Sequence, residues 1–391
     1  MLFYTYPPIL LQLLKILYML EAVILLENLK NGLSFVNHAI SQRAQLPILL
    51  NFLIDGNKNG LFICATDLEI GIRIKIPAKV NKNGRIAVSA KTFLDLVTSI
   101  TQEKVTISEK ENNINLTTEK VKASFAKTPT DEFPSLYQEK GSKVAEFDKE
   151  EFKKETAKVV FSASLDIGRP ALSGVYFEKQ EADVGINLVA ADGFRLSLRQ
   201  GFAKKASSKK EPLKLIIPSR VIKEVLGVKE EDQKITLFTS SKSNQVVFGV
   251  GDTEVVGRLI ESDYPDYKKI IPDDFDTKVY FDKPEAEDAV RSCLVFAREA
   301  ANIIKLSIGN GKLKFSASSP QLGENEVEVD AKIEGEENEI AFNGRYLLDF
   351  LGAMESEDIS FEMTGPLNPG VFRIPKEDNF LHIIMPIRIQ E

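Results

Sequence analysis

Cysteine and histidine are scarce in this 391-residue chain, which has two of each: Cys64 and Cys293, His38 and His382. Two cysteines far apart, each inside an apolar run, supply neither a disulfide framework nor a zinc site, since both need more ligands at closer spacing. They read as small buried hydrophobes in a reducing cytosol. Neither histidine stands in an HxxxH or HExxH setting, so most metal and Ser/Cys–His mechanisms lose their usual base. A P-loop, a GxGxxG after a strand and a GxSxG are missing too. No catalytic residue, cofactor or metal is expected. The net charge of −7 is the wrong sign for a general nucleic-acid coat, but it leaves room for a local basic surface on an acidic body.

What is present is a soluble, globular composition, 43% hydrophobic and 27% charged. The length exceeds one ordinary core and predicts two or three domains. Ile9 to Leu26 is almost wholly apolar and approaches the length of a membrane span, yet it lacks the cationic leader and cleavage site of a signal peptide. Met19 opens Met19-Leu-Glu-Ala-Val-Ile-Leu-Leu26, which reads as a strand in its own right. Residues 1–18 therefore read as an extension outside the fold, translated from an upstream start codon, with a membrane anchor as the alternative.

The strongest internal signal is a strand followed at once by an amphipathic helix. It runs Ile86-Ala-Val-Ser-Ala-Lys-Thr-Phe-Leu-Asp-Leu-Val97, returns at Leu215-Ile-Ile-Pro-Ser-Arg-Val-Ile-Lys-Glu-Val-Leu226, and again at Ile340-Ala-Phe-Asn-Gly-Arg-Tyr-Leu-Leu-Asp-Phe-Leu351. The period is about 125 residues, a threefold repeat. Lys91, Arg220 and Arg345 fall at one position of it, with Ser89, Pro218-Ser219 and Asn343 marking the helix starts. A hairpin recurs at Leu61–Ile76, at Asn187–Leu198 around Asp192-Gly193, and at Leu313–Asp330 with a longer turn. Helical stripes (Leu29, Leu33, Val36, Ile40; Phe152, Thr156, Val159, Ala163; Ala286, Ala289, Cys293, Ala297) open each repeat. Each unit thus reads as two βαβββ halves, an α+β arrangement with helices on one side of antiparallel strands. Boundaries near Gly141 and Pro272 give an extension at 1–18 and domains at 19–141, 142–272 and 273–391.

The acids Asp67, Glu69 and Asp192 invite a general-acid argument, but they sit in repeated hairpin turns, and Ser318-Ser319-Pro320 replaces them in the third unit. Turn chemistry explains them better. Lys91, Arg220 and Arg345 occupy the first turns of helices, where the macrodipole disfavours a cation. Helix ends facing a polyanion would account for that, as would solvated side chains whose stems cover apolar surface. The run Lys204-Lys-Ala-Ser-Ser-Lys-Lys210 reads as a solvated loop or a phosphate contact.

Leu46-Pro-Ile-Leu-Leu-Asn51, Ala65-Thr-Asp-Leu-Glu69, Phe133-Pro-Ser-Leu136, Val189-Ala-Ala-Asp-Gly-Phe-Arg-Leu196, Tyr264-Pro-Asp-Tyr267 and Ile383-Ile-Met-Pro-Ile-Arg388 together resemble the bacterial DNA polymerase III β subunit, the sliding clamp. The similarity runs in order from Met19 to Arg388. It implies the DNA-clamp fold, with inner helices and outer sheets, in a head-to-tail homodimeric ring around duplex DNA. A ring of this kind tethers the replicative polymerase without any catalysis of its own. It also implies partners: polymerase, an ATP-driven loader and repair proteins.

Residue by residue, the resemblance implies DNA contacts at Arg43, Lys91, Arg169 and Arg220, with Arg345 at the equivalent helix start. A partner-peptide pocket would be formed by Arg169, Leu172, Gly193, Phe194, Arg195, Leu196, Pro265, Lys269, Ile270, Ile384, Met385, Pro386, Ile387 and Arg388. Subunit contacts would join Lys120, Lys122 and Phe125 to Val295, Phe296, Glu324 and Glu326 of the other chain. Ordinary helix core is the alternative for Val295 and Phe296. Departures from the family pattern include Pro170 and Ala171 where aromatics occur, Phe194 for histidine, Ala191 for threonine, Lys269 for arginine, and a tail running on through Ile389-Gln-Glu391. A non-ring scaffold and a hydrolase built on Asp67 and Asp192 are the rival readings.

Overall fold

The computed structural model of the chain describes residues 19–41, 46–111, 113–137, 139–166, 168–179, 185–203, 212–240 and 243–388. The 1–18 extension, Arg43, the Lys204–Lys210 run and the tail from Ile389 onward lie outside the described residues.

The first repeat consists of β1 (Glu21–Leu25), α1 (Leu26–Val36), β2 (Asn51–Asn57), β3 (Gly60–Thr66), β4 (Ile70–Ile76), β5 (Ala78–Lys82), β6 (Gly84–Ser89), α2 (Ala90–Ser99), β7 (Lys104–Lys110), β8 (Asn113–Thr117) and β9 (Lys122–Ala126). The second has β10 (Ser142–Asp148), α3 (Lys149–Val160), β11 (Gly174–Lys179), β12 (Ile186–Ala191), β13 (Arg195–Phe202), β14 (Leu213–Pro218), α4 (Ser219–Leu226), β15 (Lys234–Ser240), β16 (Gln245–Val250) and β17 (Thr253–Arg258). The third has β18 (Thr277–Asp282), α5 (Lys283–Ala297), β19 (Ile303–Gly309), β20 (Lys312–Ser319), β21 (Gly323–Gly335), β22 (Asn338–Asn343), α6 (Gly344–Ala353), β23 (Asp358–Met363), β24 (Gly370–Arg373) and β25 (Phe380–Ile384).

Every repeat is two βαβββ halves, as the periodicity predicts, with one departure. In the first repeat Pro77 follows β4, and a residue without an N–H cannot donate to a ladder. The strand path is therefore cut: β4 pairs with β3, and its continuation β5 pairs with β1. In the third repeat the same path is one uninterrupted strand of 13 residues. The first part of β21 pairs with β20 and its last residues pair with β18.

Two compact units emerge. One contains the described residues up to Val144 together with Gly227–Arg258; the other contains the described residues from Ala145 to Leu226 and from Leu259 to Arg388. The first holds a five-stranded sheet, β5-β1-β7-β8-β9, and an eight-stranded sheet, β10-β15-β16-β17-β4-β3-β2-β6. The second holds a twelve-stranded sheet, β14-β11-β12-β13-β25-β24-β23-β18-β21-β20-β19-β22.

The helices bury the predicted stripes. Leu29, Leu33 and Val36 of α1, Phe152, Thr156 and Val159 of α3, and Ala286, Ala289, Cys293 and Ala297 of α5 are all buried. Ile40 and Ala163 lie beyond their helices, because α1 passes into a 3-10 turn at Asn37 and α3 ends at Val160. Asp148, Asp282 and Asn343 cap α3, α5 and α6 by accepting from the N–H of Glu151, Glu285 and Arg345 at 2.9, 2.8 and 3.0 Å. Cys64 and Cys293 are free and buried, and burial pushes their thiols up to about 12 and about 11.

Candidate partner-binding pocket and nucleic-acid face

The repeated hairpin acids serve the backbone. Asp67 Oδ1 accepts from the N–H of Glu69 and Ile70 at 3.0 and 2.8 Å. Asp192 Oδ1 accepts from those of Phe194 and Arg195 at 2.8 and 3.0 Å. These are Asx turns, in which the carboxylate replaces a backbone acceptor. The second residue of each turn takes a left-handed conformation, φ 78° at Leu68 and 93° at Gly193. At position 193 a Cβ would stand 2.6 Å from Arg169 Nη1, so glycine lets the arginine lie across the turn.

Arg195, in the same hairpin, is spent internally. Nε donates to Asp192 Oδ2 at 3.1 Å, Nη2 to the Phe161 carbonyl at 3.0 Å, and Nη1 to Asp349 Oδ2 at 2.7 Å. Its guanidinium lies 4.5 Å from the Tyr346 ring centre. Phe194 stacks on the same tyrosine, at 6.5 Å and 24°. Tyr346 and Asp349, both on α6, complete this corner of the site. They escape a reading by periodicity because they belong to the polar and half-buried positions of their helix.

Behind the hairpin lies an apolar floor. Tyr176, Val189, Leu196, Leu198, Ile216, Tyr267, Leu381 and Ile383 form one buried cluster, with Ala171, Leu172, Ile260 and Tyr264 packed against it. Tyr264 stacks on Tyr176 at 4.7 Å and 7°, and burial pushes its phenol well above the ordinary value. Around this floor three large apolar side chains face outward: Phe194, Ile270 and Met385 are 54%, 40% and 37% exposed. Met385 N–H donates to the Phe194 carbonyl at 2.8 Å, which joins the tail to the hairpin. Pro265 and Lys269 are exposed at the rim, Lys269 paired with Asp266 at 3.2 Å. Ile384 is buried beneath. Ile387 and Arg388 turn elsewhere: Ile387 N–H donates to the Ala341 carbonyl at 2.8 Å, and both residues line a separate cavity of about 270 Å³ with Lys305, Pro366 and Leu367.

The predicted DNA-facing cations that are described all lie at the surface. Lys91, Arg220 and Arg345 are each exposed and each the second residue of its helix, α2, α4 and α6. Arg169 is exposed before the Pro170–Ser173 turn, and its guanidinium reaches the Asp192 carbonyl at 3.4 Å.

The predicted subunit residues fall on two strand edges and one helix. Lys120 and Lys122 are exposed beside β9, the terminal strand of its sheet, and Phe125 packs edge-on against Phe93 at 5.2 Å. Glu324 and Glu326 are exposed on β21, whose Gly323–Asp330 stretch pairs with β20 alone among the described residues. Val295 is 57% exposed, so core packing does not account for it, because α5 turns Ala289, Val290, Cys293, Leu294 and Ala297 inward. Phe296 packs against the core. Among the described residues no helix is long and apolar enough to cross a membrane, and no group of three or more His, Cys, Asp or Glu is arranged to hold a metal.

Three sequence models match in succession: the N-terminal, central and C-terminal domains of the DNA polymerase III beta subunit, over residues 20–137, 146–266 and 268–388. The beta sliding clamp of Staphylococcus aureus strain Mu50 is 29% identical over 362 residues, covering 90% of this chain and 94% of that protein. Among solved structures, the DNA polymerase III beta subunit of Thermotoga maritima superposes with a TM-score of 0.85 at 26% identity. The DNA polymerase sliding clamp of Bacillus subtilis does so with 0.87 at 25%. Both comparisons cover 95% of this chain and the whole of the other.

Proposed function

Because the chain belongs to the DNA polymerase III beta subunit family, we propose that two copies join head to tail into a ring around duplex DNA and tether the replicative polymerase for processive synthesis. The chain is a non-catalytic accessory subunit, a processivity factor. The proposed ring is cytoplasmic and built from domains 19–141, 142–272 and 273–391.

One observation carries the ring. Two junctions between repeats are made the same way: the last strand of one repeat pairs with the fourth strand of the repeat before it. β17 pairs with β4, with Glu254 opposite Arg73, and β25 pairs with β13, with Ile383 opposite Leu196. β9 is the last strand of the first repeat, and β21 is the fourth strand of the last. Pairing β9 of one copy with β21 of another repeats the same junction, and a heterologous contact of fixed rotation closes a ring. Lys120 and Lys122 would meet Glu324 and Glu326, while Phe125 would meet Val295 and Phe296.

A ring is held on DNA by topology, so a few phosphate contacts from Lys91, Arg169, Arg220, Arg345 and Arg43 suffice, and tight ones would impede sliding. Partners, including polymerase, loader and repair proteins, would dock a short apolar peptide between Leu172, Phe194, Ile270 and Met385. The deciding experiment is solution mass together with retention on DNA of two topologies. A dimer retained on nicked circles and lost from linear duplex is expected. A monomer at micromolar concentration, indifferent to DNA topology, would leave the scaffold reading instead.

A further inference from the structure

A second cavity adjoins the floor of the partner pocket. It measures about 130 Å³ and is walled by Phe275, Met363 and Val371, with Asp273, Asp274, Glu362 and Arg373 around it. A single cross-strand row links it to the floor: Leu196 is opposite Ile383, Ile383 opposite Val371, Val371 opposite Glu362, and Glu362 opposite Lys278. The row is apolar through three strands and turns charged at the fourth. Glu362 is 8% exposed and is already neutralised by Lys278 at 2.8 Å and Arg373 at 2.8 Å. Asp273 and Asp274 are exposed at the mouth and make no ion pair among the described residues. Phe275, 48% exposed, lies beside them, with Lys278 Nζ over its ring at 5.3 Å from the centre.

An apolar wall and two unneutralised carboxylates side by side at the rim suit a side chain with an apolar stem and a broad, forked cationic head, which describes arginine better than lysine. We infer that this cavity is a specificity subsite of the partner pocket, and that it takes an arginine of the docked peptide. The inference rests on the partner-pocket reading. Ile383 and Glu362 are two strands apart, about 10 Å, which an extended peptide spans in about three residues. The arginine therefore belongs three or four positions from the apolar residue seated over Ile383.

The test uses the full-length protein and three fluorescein-labelled peptides: two leucines alone, the same with an arginine three residues on, and the same with glutamine at that place. Anisotropy titrations should show the arginine peptide binding at least fivefold more tightly than the glutamine one. In a D273N/D274N variant, altered only at exposed positions, the ratio should fall towards one. Equal binding of the two peptides, or a ratio that survives the double substitution, overturns the subsite while leaving the apolar pocket standing. If the leucine-only peptide also fails to bind, the pocket reading falls and the subsite falls with it.

Discussion

Arg195 Nη1 donates to Asp349 Oδ2 at 2.7 Å, so the turn that shapes the partner pocket is fastened to helix α6 by a buried cation. The two ends are unequal. The Arg195 side chain is 9% exposed and that of Asp349 is 48% exposed. Removing the arginine strands Asp192 and the Phe161 carbonyl as well, so Arg195→Ala should cost about 3 kcal/mol or more. Asp349→Ala should cost no more than about 1 kcal/mol. Urea midpoints of both variants decide this, and equal losses would mean that the hairpin is held by something else.

Leu68 and Gly193 hold equivalent places in the two Asx turns, and only one is a glycine. An L-residue pays roughly 1–2 kcal/mol in the left-handed region. Leu68→Gly should therefore raise stability, by about 0.5–1 kcal/mol after the greater chain entropy of glycine is subtracted. Gly193→Ala should lower it by about 1–2 kcal/mol and also displace Arg169. Calorimetric melts of the pair should move in opposite directions.

His382 and Glu254 give separate acid responses. His382 has no exposed surface, its Nδ1 lies 2.8 Å from Ser197 Oγ, and its ring stacks on Phe350 at 4.8 Å. Burial, and then the nearby Arg195 charge, hold the imidazole pKa well below 6.5. The unfolded chain therefore takes up a proton that the folded chain refuses. Stability should decline as pH falls below 6.5, by up to about 1.4 kcal/mol per unit, and His382→Phe should flatten that limb.

Glu254 acts lower. Burial alone would raise its carboxyl, but hydrogen bonds from Lys140 and Tyr137 and the charges of Lys140 and Arg73 bring it below 4.5. The stability it contributes is complete above 4.5 and lost as pH falls through the depressed value. Glu254→Gln should reduce that more acidic loss, to which Glu362 contributes in the same way, and leave the His382 limb unchanged. Urea midpoints collected from pH 7 to 3 separate the two groups.

The proposed subunit edge predicts a charge reversal. Lys122→Glu and Glu326→Lys, made singly, should each weaken dimerisation about tenfold or more at low salt, through like-charge opposition. Both changes in one chain should restore it. Sedimentation equilibrium reads the result, and additive weakening in the double variant would move the edge elsewhere.

Much of this molecule was legible in one dimension. A strand running into an amphipathic helix announces itself by a change of hydrophobic period, and three copies at one spacing reveal the repeat without coordinates. Asp67 and Asp192 could be read as turn formers for the same local reason: an Asx turn spends its carboxylate within three residues. The Pro77 break is equally local, but a hairpin that ends at Ile76 and a half-unit of βαβββ leave no place for β5, the short strand just past the proline.

Contacts far apart in sequence were of another kind. That Arg195 would be consumed by Asp349 and Tyr346, that Val295 would face outward while Phe296 turned in, and that Ile387 and Arg388 would leave the pocket for the Ala341 edge all depend on which strands neighbour each other. Periodicity assigns a residue to a face, but sheet order decides what that face meets. Local chemistry in the chain settled the threefold βαβββ pattern. Only the pairing of β25 with β13 and of β17 with β4 decided which repeats were joined along their edges, because strand pairing joins residues more than a hundred positions apart that no local pattern relates.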